Sequence, residues 1–159
     1  MKRIEQKYAT KEVLKELIGK YKTTKTQIAQ KWYNICIIPA AFDIETTEEF
    51  MYIWTFTILD TTIIGYTWSD FKQLLWTLKQ VLGLGKEVKK AAKVLPIFIH
   101  NFGNFEWHFL KEEISMTDVF LKGNEEDASA LYAVAYNGFL LADSYAVANM
   151  SLEKLAKTY

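Results

Sequence analysis

Ile35-Cys36-Ile37-Ile38-Pro39-Ala40-Ala41-Phe42-Asp43-Ile44-Glu45-Thr46-Thr47 is the stretch on which the reading of this chain turns. Its opening part, Ile35 to Phe42, is the longest apolar run in the sequence. That run is strand-sized, far short of the ~20 residues that cross a bilayer. Apolar residues at successive positions predict a strand buried on both faces of a sheet. Where the run ends, Asp43 and Glu45 stand two residues apart, so strand alternation turns both to the same side. Two neighbouring carboxylates repel each other, and a divalent cation that prefers oxygen ligands, Mg²⁺ or Mn²⁺, relieves the repulsion. The plainer reading is an acidic strand end running into a turn with Glu48 and Glu49.

Working outward toward the N-terminus, residues 10–22 place Val13, Leu14, Leu17 and Ile18 on one stripe, with Thr10 available as a cap. That spacing predicts an amphipathic helix. Thr24 to Trp32 reads as a second short helix, and the pair loosely resembles a helix-turn-helix in which Thr26-Gln27-Ile28-Ala29 opens the second element. A basic helical extension over 1–31 and a body over 32–159 are the divisions expected.

Toward the C-terminus, Phe50 to Leu59 is dense in aromatic and β-branched residues and predicts a second strand, with Thr62 to Tyr66 a third beyond the turn at Asp60-Thr61. Ser69 is placed to cap a helix carrying Phe71, Leu74, Leu75, Leu78 and Leu82, which Gly83 and Gly85 end. After a lysine-rich segment, Leu95 to Ile99 reads as another buried strand and residues 105–114 as a helix. Val119 to Lys122, Leu131 to Tyr136 and Phe139 to Ser144 read as strands, and Ser151 to Tyr159 begins a closing helix. Strands first, then strands alternating with helices, predict an α/β fold: a mixed sheet flanked by helices.

Composition narrows the class. With 159 residues the chain is one domain long, and 50% hydrophobic residues with only 2 prolines and 7 glycines exclude a disordered or low-complexity chain. The lone cysteine, Cys36, forbids an internal disulfide and argues against a metal–thiolate site. The start, Met1-Lys2-Arg3-Ile4-Glu5-Gln6-Lys7, lacks the apolar stretch of a signal peptide, so a soluble, cytoplasmic protein without a membrane partner is expected. The net charge of zero conceals a division: residues 1–41 hold nine basic and three acidic side chains, and the remainder ten basic and sixteen acidic. A basic segment on an acidic body can contact phosphates, or be a solvated helix face.

A second block, Ile97-Phe98-Ile99-His100-Asn101-Phe102-Gly103-Asn104-Phe105-Glu106-Trp107-His108-Phe109-Leu110, stops a buried strand at His100-Asn101 and starts a helix carrying Glu106 soon after. If that strand runs parallel to the first, both blocks reach the same sheet edge. His100 and Asn101 can then hydrogen-bond a nucleic-acid end, and Phe105 or Phe109 can stack on a base. Taken singly, Phe105 and His108 read equally as packed residues of an aromatic helix.

Together the blocks carry a resemblance. Ala41-Phe42-Asp43-Ile44-Glu45-Thr46-Thr47 resembles the first exonuclease motif of family B DNA polymerases. His100-Asn101 with Phe105-Glu106 resembles their second, in the form used by the protein-primed branch of bacteriophages and linear plasmids. Asp143-Ser144, followed by Asn149-Met150-Ser151-Leu152-Glu153-Lys154-Leu155-Ala156-Lys157, is similar to a segment of the same polymerases that contacts the single-stranded end.

The resemblance covers roughly residues 32–159 and implies an RNase H-like 3′–5′ exonuclease domain that uses Mg²⁺ or Mn²⁺ in a two-metal manner on single-stranded DNA 3′ ends. It implies that Asp43, Glu45 and Glu106 are the catalytic, metal-holding carboxylates. It implies that Thr46, His100, Asn101, Phe105 and Ser144 position the frayed end. Most such polymerases have aspartate where this chain has Glu106. Their third motif, tyrosine with aspartate four residues on, does not occur after residue 144. Phe139-Leu140-Leu141-Ala142-Asp143 copies its spacing without the hydroxyl, leaving Asp143 as a candidate replacement ligand and weak or lost hydrolysis as the expectation. The alternative is a phage protein that uses the same scaffold without catalysis, binding nucleic acid or blocking a host nuclease or defence complex. A protein partner or a second copy supplying the missing carboxylate is a further expectation.

Overall fold

The computed structural model describes residues 2–28, 30–100, 106–114, 118–121 and 131–143. In chain order its elements are strand β1 (Lys2–Glu5), a 3-10 turn (Gln6–Tyr8), helix α1 (Lys11–Ile18), and strands β2 (Thr23–Ile28), β3 (Lys31–Cys36), β4 (Ala40–Thr46), β5 (Met51–Ile58) and β6 (Thr61–Gly65). Helix α2 (Trp68–Leu82), strands β7 (Glu87–Val88) and β8 (Ala91–Ile99), and helix α3 (Glu106–Leu110) follow. Strands β9 (Asp118–Leu121), β10 (Leu131–Tyr136) and β11 (Phe139–Asp143) come last. The main path across the sheet is β1-β6-β5-β4-β8-β11-β10-β9. Strands β4, β5 and β6 are antiparallel neighbours, β8 runs parallel to β4, and β11 parallel to β8. This is a mixed α/β sheet, as expected. No helix among the described residues is long and apolar enough to cross a membrane.

The stretch from Ile35 to Asp43 is two strands rather than one. Pro39 has no N–H to give a ladder, and the chain changes partners there. Ile37 N–H donates to Lys22 O at 2.8 Å, and Pro39 O accepts from Leu59 N–H at 2.9 Å. Upstream, residues expected to form a second helix form the β2–β3 hairpin, registered from Thr23 opposite Cys36 to Ile28 opposite Lys31. Thr23, Thr24 and Thr26 favour an extended backbone, and β3 in turn lies parallel against the first half of β8. No DNA-reading helix exists at this position. Strand β1 has little apolar signal of its own; it pairs parallel with β6 and so belongs to the main sheet.

The helices formed as their caps dictate. Thr10 Oγ1 accepts from Val13 N–H at 3.3 Å, and the cap of α2 is Thr67, two residues ahead of the expected Ser69, with Oγ1 accepting from Asp70 N–H at 3.1 Å. Leu14 and Ile18 of α1 and Phe71, Leu74, Leu75, Leu78 and Leu82 of α2 enter one core with Phe42, Ile44, Trp54, Phe56 and Ile58. At its centre Phe71 stacks on Phe42 with ring centroids 4.3 Å apart and meets Trp54 at 5.4 Å. Gly65 is required here: any side chain would overlap the Trp54 indole, whose Nε1–H donates to Thr67 O at 2.8 Å. Leu110 and Ile114, in and after α3, join the same core. All three helices among the described residues therefore contribute to one face of the sheet.

The opposite, outer face divides in two. Tyr33, Ile35, Val94, Leu140 and Ala142 make a smaller apolar cluster where β3, β8 and β11 meet. Over β4, β5 and β6 the outward positions are Ala41, Asp43 and Glu45, Ile53, Thr55 and Thr57, and Thr62 and Ile64, and Thr57 Oγ1 lies 3.0 Å from Thr62 Oγ1.

A candidate metal and nucleic-acid-end site

The outward pair follows from the inward one. Phe42 and Ile44 are buried in the helix-covered core, and a strand's period of two leaves Ala41, Asp43 and Glu45 exposed on the other face. The expectation of a strand buried on both faces is thus corrected for β4: it is buried on one. Alternate residues on a strand are about 6.6 Å apart, close enough for two carboxylates to converge on one cation. Asp43 Oδ1 accepts from Ile44 N–H at 2.9 Å, which fixes that oxygen and leaves Oδ2 for another partner. Among the described residues neither Asp43 nor Glu45 has a lysine or arginine in ion-pairing range. Nor do those residues gather three or more His, Cys, Asp or Glu side chains in one place. As a donor set, two same-face carboxylates fit a hard divalent cation, which they would hold incompletely by themselves.

A bulge between Glu45 and Thr46 shifts the pairing with β5, so Glu45 faces Ile53 and Thr46 faces Met51. Bulges re-aim side chains at strand ends. Thr46 is half-buried there. Next to it Thr47 ties off the turn: its N–H donates to Phe50 O at 2.8 Å, and its Oγ1 accepts from Phe50 N–H at 3.1 Å and Glu49 N–H at 3.3 Å. Glu48 and Glu49 stand exposed on that turn, so four carboxylates occupy residues 43–49.

The parallel pairing of β4 with β8, through Ala41 and Phe98, carries the second block to the same edge. His100 is exposed in the turn directly after β8, two residues past that pair and so level with Asp43. Glu106 begins helix α3; its side chain lies outside the description. Asn101, Phe105 and Ser144 lie outside the described residues. Asp143 is placed differently from the candidate role. It is 5% exposed, registered opposite Ile99, and alternation puts it on the face of Leu141 and Phe139, which belong to the helix-covered core. Asp43 and Glu45 are on the other face, so Asp143 does not replace a ligand beside them.

Sequence reading missed the aromatics of this edge. Phe50 and Tyr52 are exposed at the start of β5, and Tyr66 just beyond the end of β6, 58%, 45% and 53% open respectively. The antiparallel order brings those three positions to the edge where Glu45 lies. Large aromatics left in water at a strand end offer faces to unpaired bases. Their signal was present in the strand pattern, where aromatics sit at positions that a one-sided core does not need.

Fold and site define a mixed α/β protein with paired outward carboxylates and an aromatic rim at one sheet edge. The chain matches no family model, no curated protein and no solved structure.

Proposed function

We propose that the chain is an RNase H-like 3′–5′ exonuclease domain of bacteriophage type, related to that of protein-primed family B DNA polymerases, acting on unpaired DNA 3′ ends with Mg²⁺ or Mn²⁺. The observation that carries this reading is the outward pair Asp43 and Glu45 in the second half of β4, the strand at which the sheet changes from antiparallel to parallel neighbours. The segment β6-β5-β4-β8-β11, antiparallel on one side of β4 and parallel on the other, supports that reading. Open α/β sheets bind ligands beyond the carboxyl ends of their strands.

In this reading Asp43 and Glu45 hold the cation and Glu106 takes the place of the second-motif carboxylate. A bound divalent ion supplies an activated water and a counter-charge for the leaving oxygen. Thr46, His100, Asn101, Phe105 and Ser144 orient the strand end, and Phe50, Tyr52 and Tyr66 stack on frayed bases. An unpaired end is preferred because stacking on those rings requires bases free of a complement. Hydrolysis is slow, since Asp143 faces away from the pair.

The test is release of mononucleotides from 5′-labelled single-stranded DNA in Mn²⁺, run beside the Asp43→Ala/Glu45→Ala variant. A ladder lost in the variant supports the reading; no degradation by either protein removes the catalytic part of it. The second reading, favoured by the burial of Asp143 on the opposite face, is a non-catalytic protein that binds a nucleic-acid end or a host nuclease. In that case the double variant keeps its binding while charge reversal among Lys20, Lys22, Lys25 and Lys31 abolishes it.

A further inference from the structure

The exposed side of α2 carries a feature that the carboxylate edge does not explain. Ser69, Lys72, Gln73, Trp76 and Lys79 recur at helical spacing on one stripe, pointing away from the core. A polar stripe has no need of tryptophan, yet Trp76 sits at its middle and is 51% exposed. The stripe forms one wall of a cleft of about 530 Å³ whose other wall is the β10–β11 hairpin, with Tyr136, Asn137 and Phe139. That volume lies in the range of ligand sites, about 300–1,000 Å³.

The position of the hairpin wall has a local reason. Asn137 and Gly138 have φ of 53° and 92°, the left-handed pair that a two-residue hairpin turn demands. A side chain on Gly138 would press on Leu84 Cβ at 2.7 Å. The turn therefore seats against the end of α2, and Asn137 Oδ1 accepts from Lys79 Nζ at 2.7 Å across the cleft.

The cleft's charge is positive. Lys72 Nζ is 3.1 Å from Glu113 Oε2 and is compensated by it. Among the described residues Lys79 donates to a neutral amide and to no carboxylate, while Lys11, on α1 and outside the cleft lining, holds its ammonium 5.3 Å from the Trp76 ring centre. An aromatic face, the Lys79 ammonium and two side-chain amides, Gln73 and Asn137, are complementary to a ligand with a flat ring, a phosphate and hydrogen-bonding edges. We propose that this cleft binds a nucleoside monophosphate unit, its base on Trp76 and its phosphate at Lys79. The unit is either a free mononucleotide or the terminal residue of a strand. The cleft lies on the helix-covered side of the sheet, so the inference stands independently of the proposed exonuclease site.

The test is calorimetric titration of the full chain with deoxyadenosine monophosphate, deoxyadenosine, inorganic phosphate and a 5′-phosphorylated tetranucleotide. The expected result is binding of the monophosphate, at least about tenfold weaker binding of deoxyadenosine, and a loss of about tenfold or more in Trp76→Ala, since one base–aromatic stack contributes about 1–3 kcal/mol. Trp76→Phe keeps a ring and restores most of the affinity, and Lys79→Gln weakens binding and flattens its salt dependence. Tighter binding of the tetranucleotide than of the monophosphate, lost in Trp76→Ala, assigns the cleft to a strand terminus; the reverse order assigns it to the free nucleotide. Failure of both to bind overturns the proposal. So does binding that Asp43→Ala/Glu45→Ala removes and Trp76→Ala leaves intact, because that places the ligand at the other face.

Discussion

The two faces of the sheet at β4 are separated by single residues and obey different rules. Inward, Phe42 and Ile44 join Trp54, Phe71 and the α2 leucines in close contact. Outward, Asp43 and Glu45 alternate with them in open solvent, beside a strip of threonines. Burial of large apolar groups fixes the register of the strand, because a slip of one residue would drive two carboxylates into the core. The charged pair contributes nothing to that register and follows it. One face carries the stability, and the other leaves its charged side chains in solvent.

The largest blow to the first face is Phe71→Ala. It removes the ring that touches Phe42, Trp54 and Trp68 at once, and its expected cost is about 3–5 kcal/mol by denaturant unfolding. Mn²⁺ affinity per folded molecule should be unchanged. An equal loss of metal binding in the folded fraction would show that the faces are coupled.

The core thiol sharpens the comparison through pH. Cys36 is fully buried, and burial pushes its thiol up from its ordinary 9.0 to about 11, with the nearby Lys93 ammonium pulling the other way. The folded value lies above the unfolded one, so the contribution is complete below pH 9.0 and is lost as pH rises toward about 11. The slope is at most about 1.4 kcal/mol per pH unit in that window. Cys36→Ala should remove the slope between those limits, which urea titrations at several pH values measure directly.

A smaller effect belongs to the α2 cap. Thr67→Ala leaves Asp70 N–H without its side-chain acceptor and should cost about 1 kcal/mol, read as a lowered urea midpoint with an unchanged slope. The smallest effect on stability is expected from the outer pair. Asp43→Ala/Glu45→Ala should shift the unfolding free energy by no more than about 0.5 kcal/mol. The same variant should lower Mn²⁺ affinity by about 100-fold or more, since even residues that merely support a metal ligand are worth about 10–100-fold. A large stability loss with unchanged metal affinity would reverse the roles assigned to the two faces.

Much of this was legible locally. The helix of Phe71 and its followers, the strand end before His100 and the cap at Thr10 are each specified by neighbours within a few positions, so periodicity and capping chemistry reveal them, whereas the strand expected to end at Asp43 runs on to Thr46. The helix expected over Thr24 to Trp32 failed because a short polar segment has no decisive local preference; pairing with β3 settled it as a strand. Strand β1 escaped notice for a similar reason, since four residues with three charges form a strand only because β6 offers an edge.

By itself the sequence determined the alternation at residues 42–45, and with it the pairing of two carboxylates on one side, because side-chain direction along a strand depends on nothing beyond the strand. Tertiary structure alone decided which side that was, once Phe71 had claimed Phe42 for the core. It also decided that Asp143, equally acidic and at the end of β11, points the other way, since the register of β11 against β8 is set by contacts more than forty residues apart in the chain. The same long-range packing set Trp76 opposite Asn137. Proximity across a fold is created by burial of distant surfaces against each other, and no local pattern encodes it.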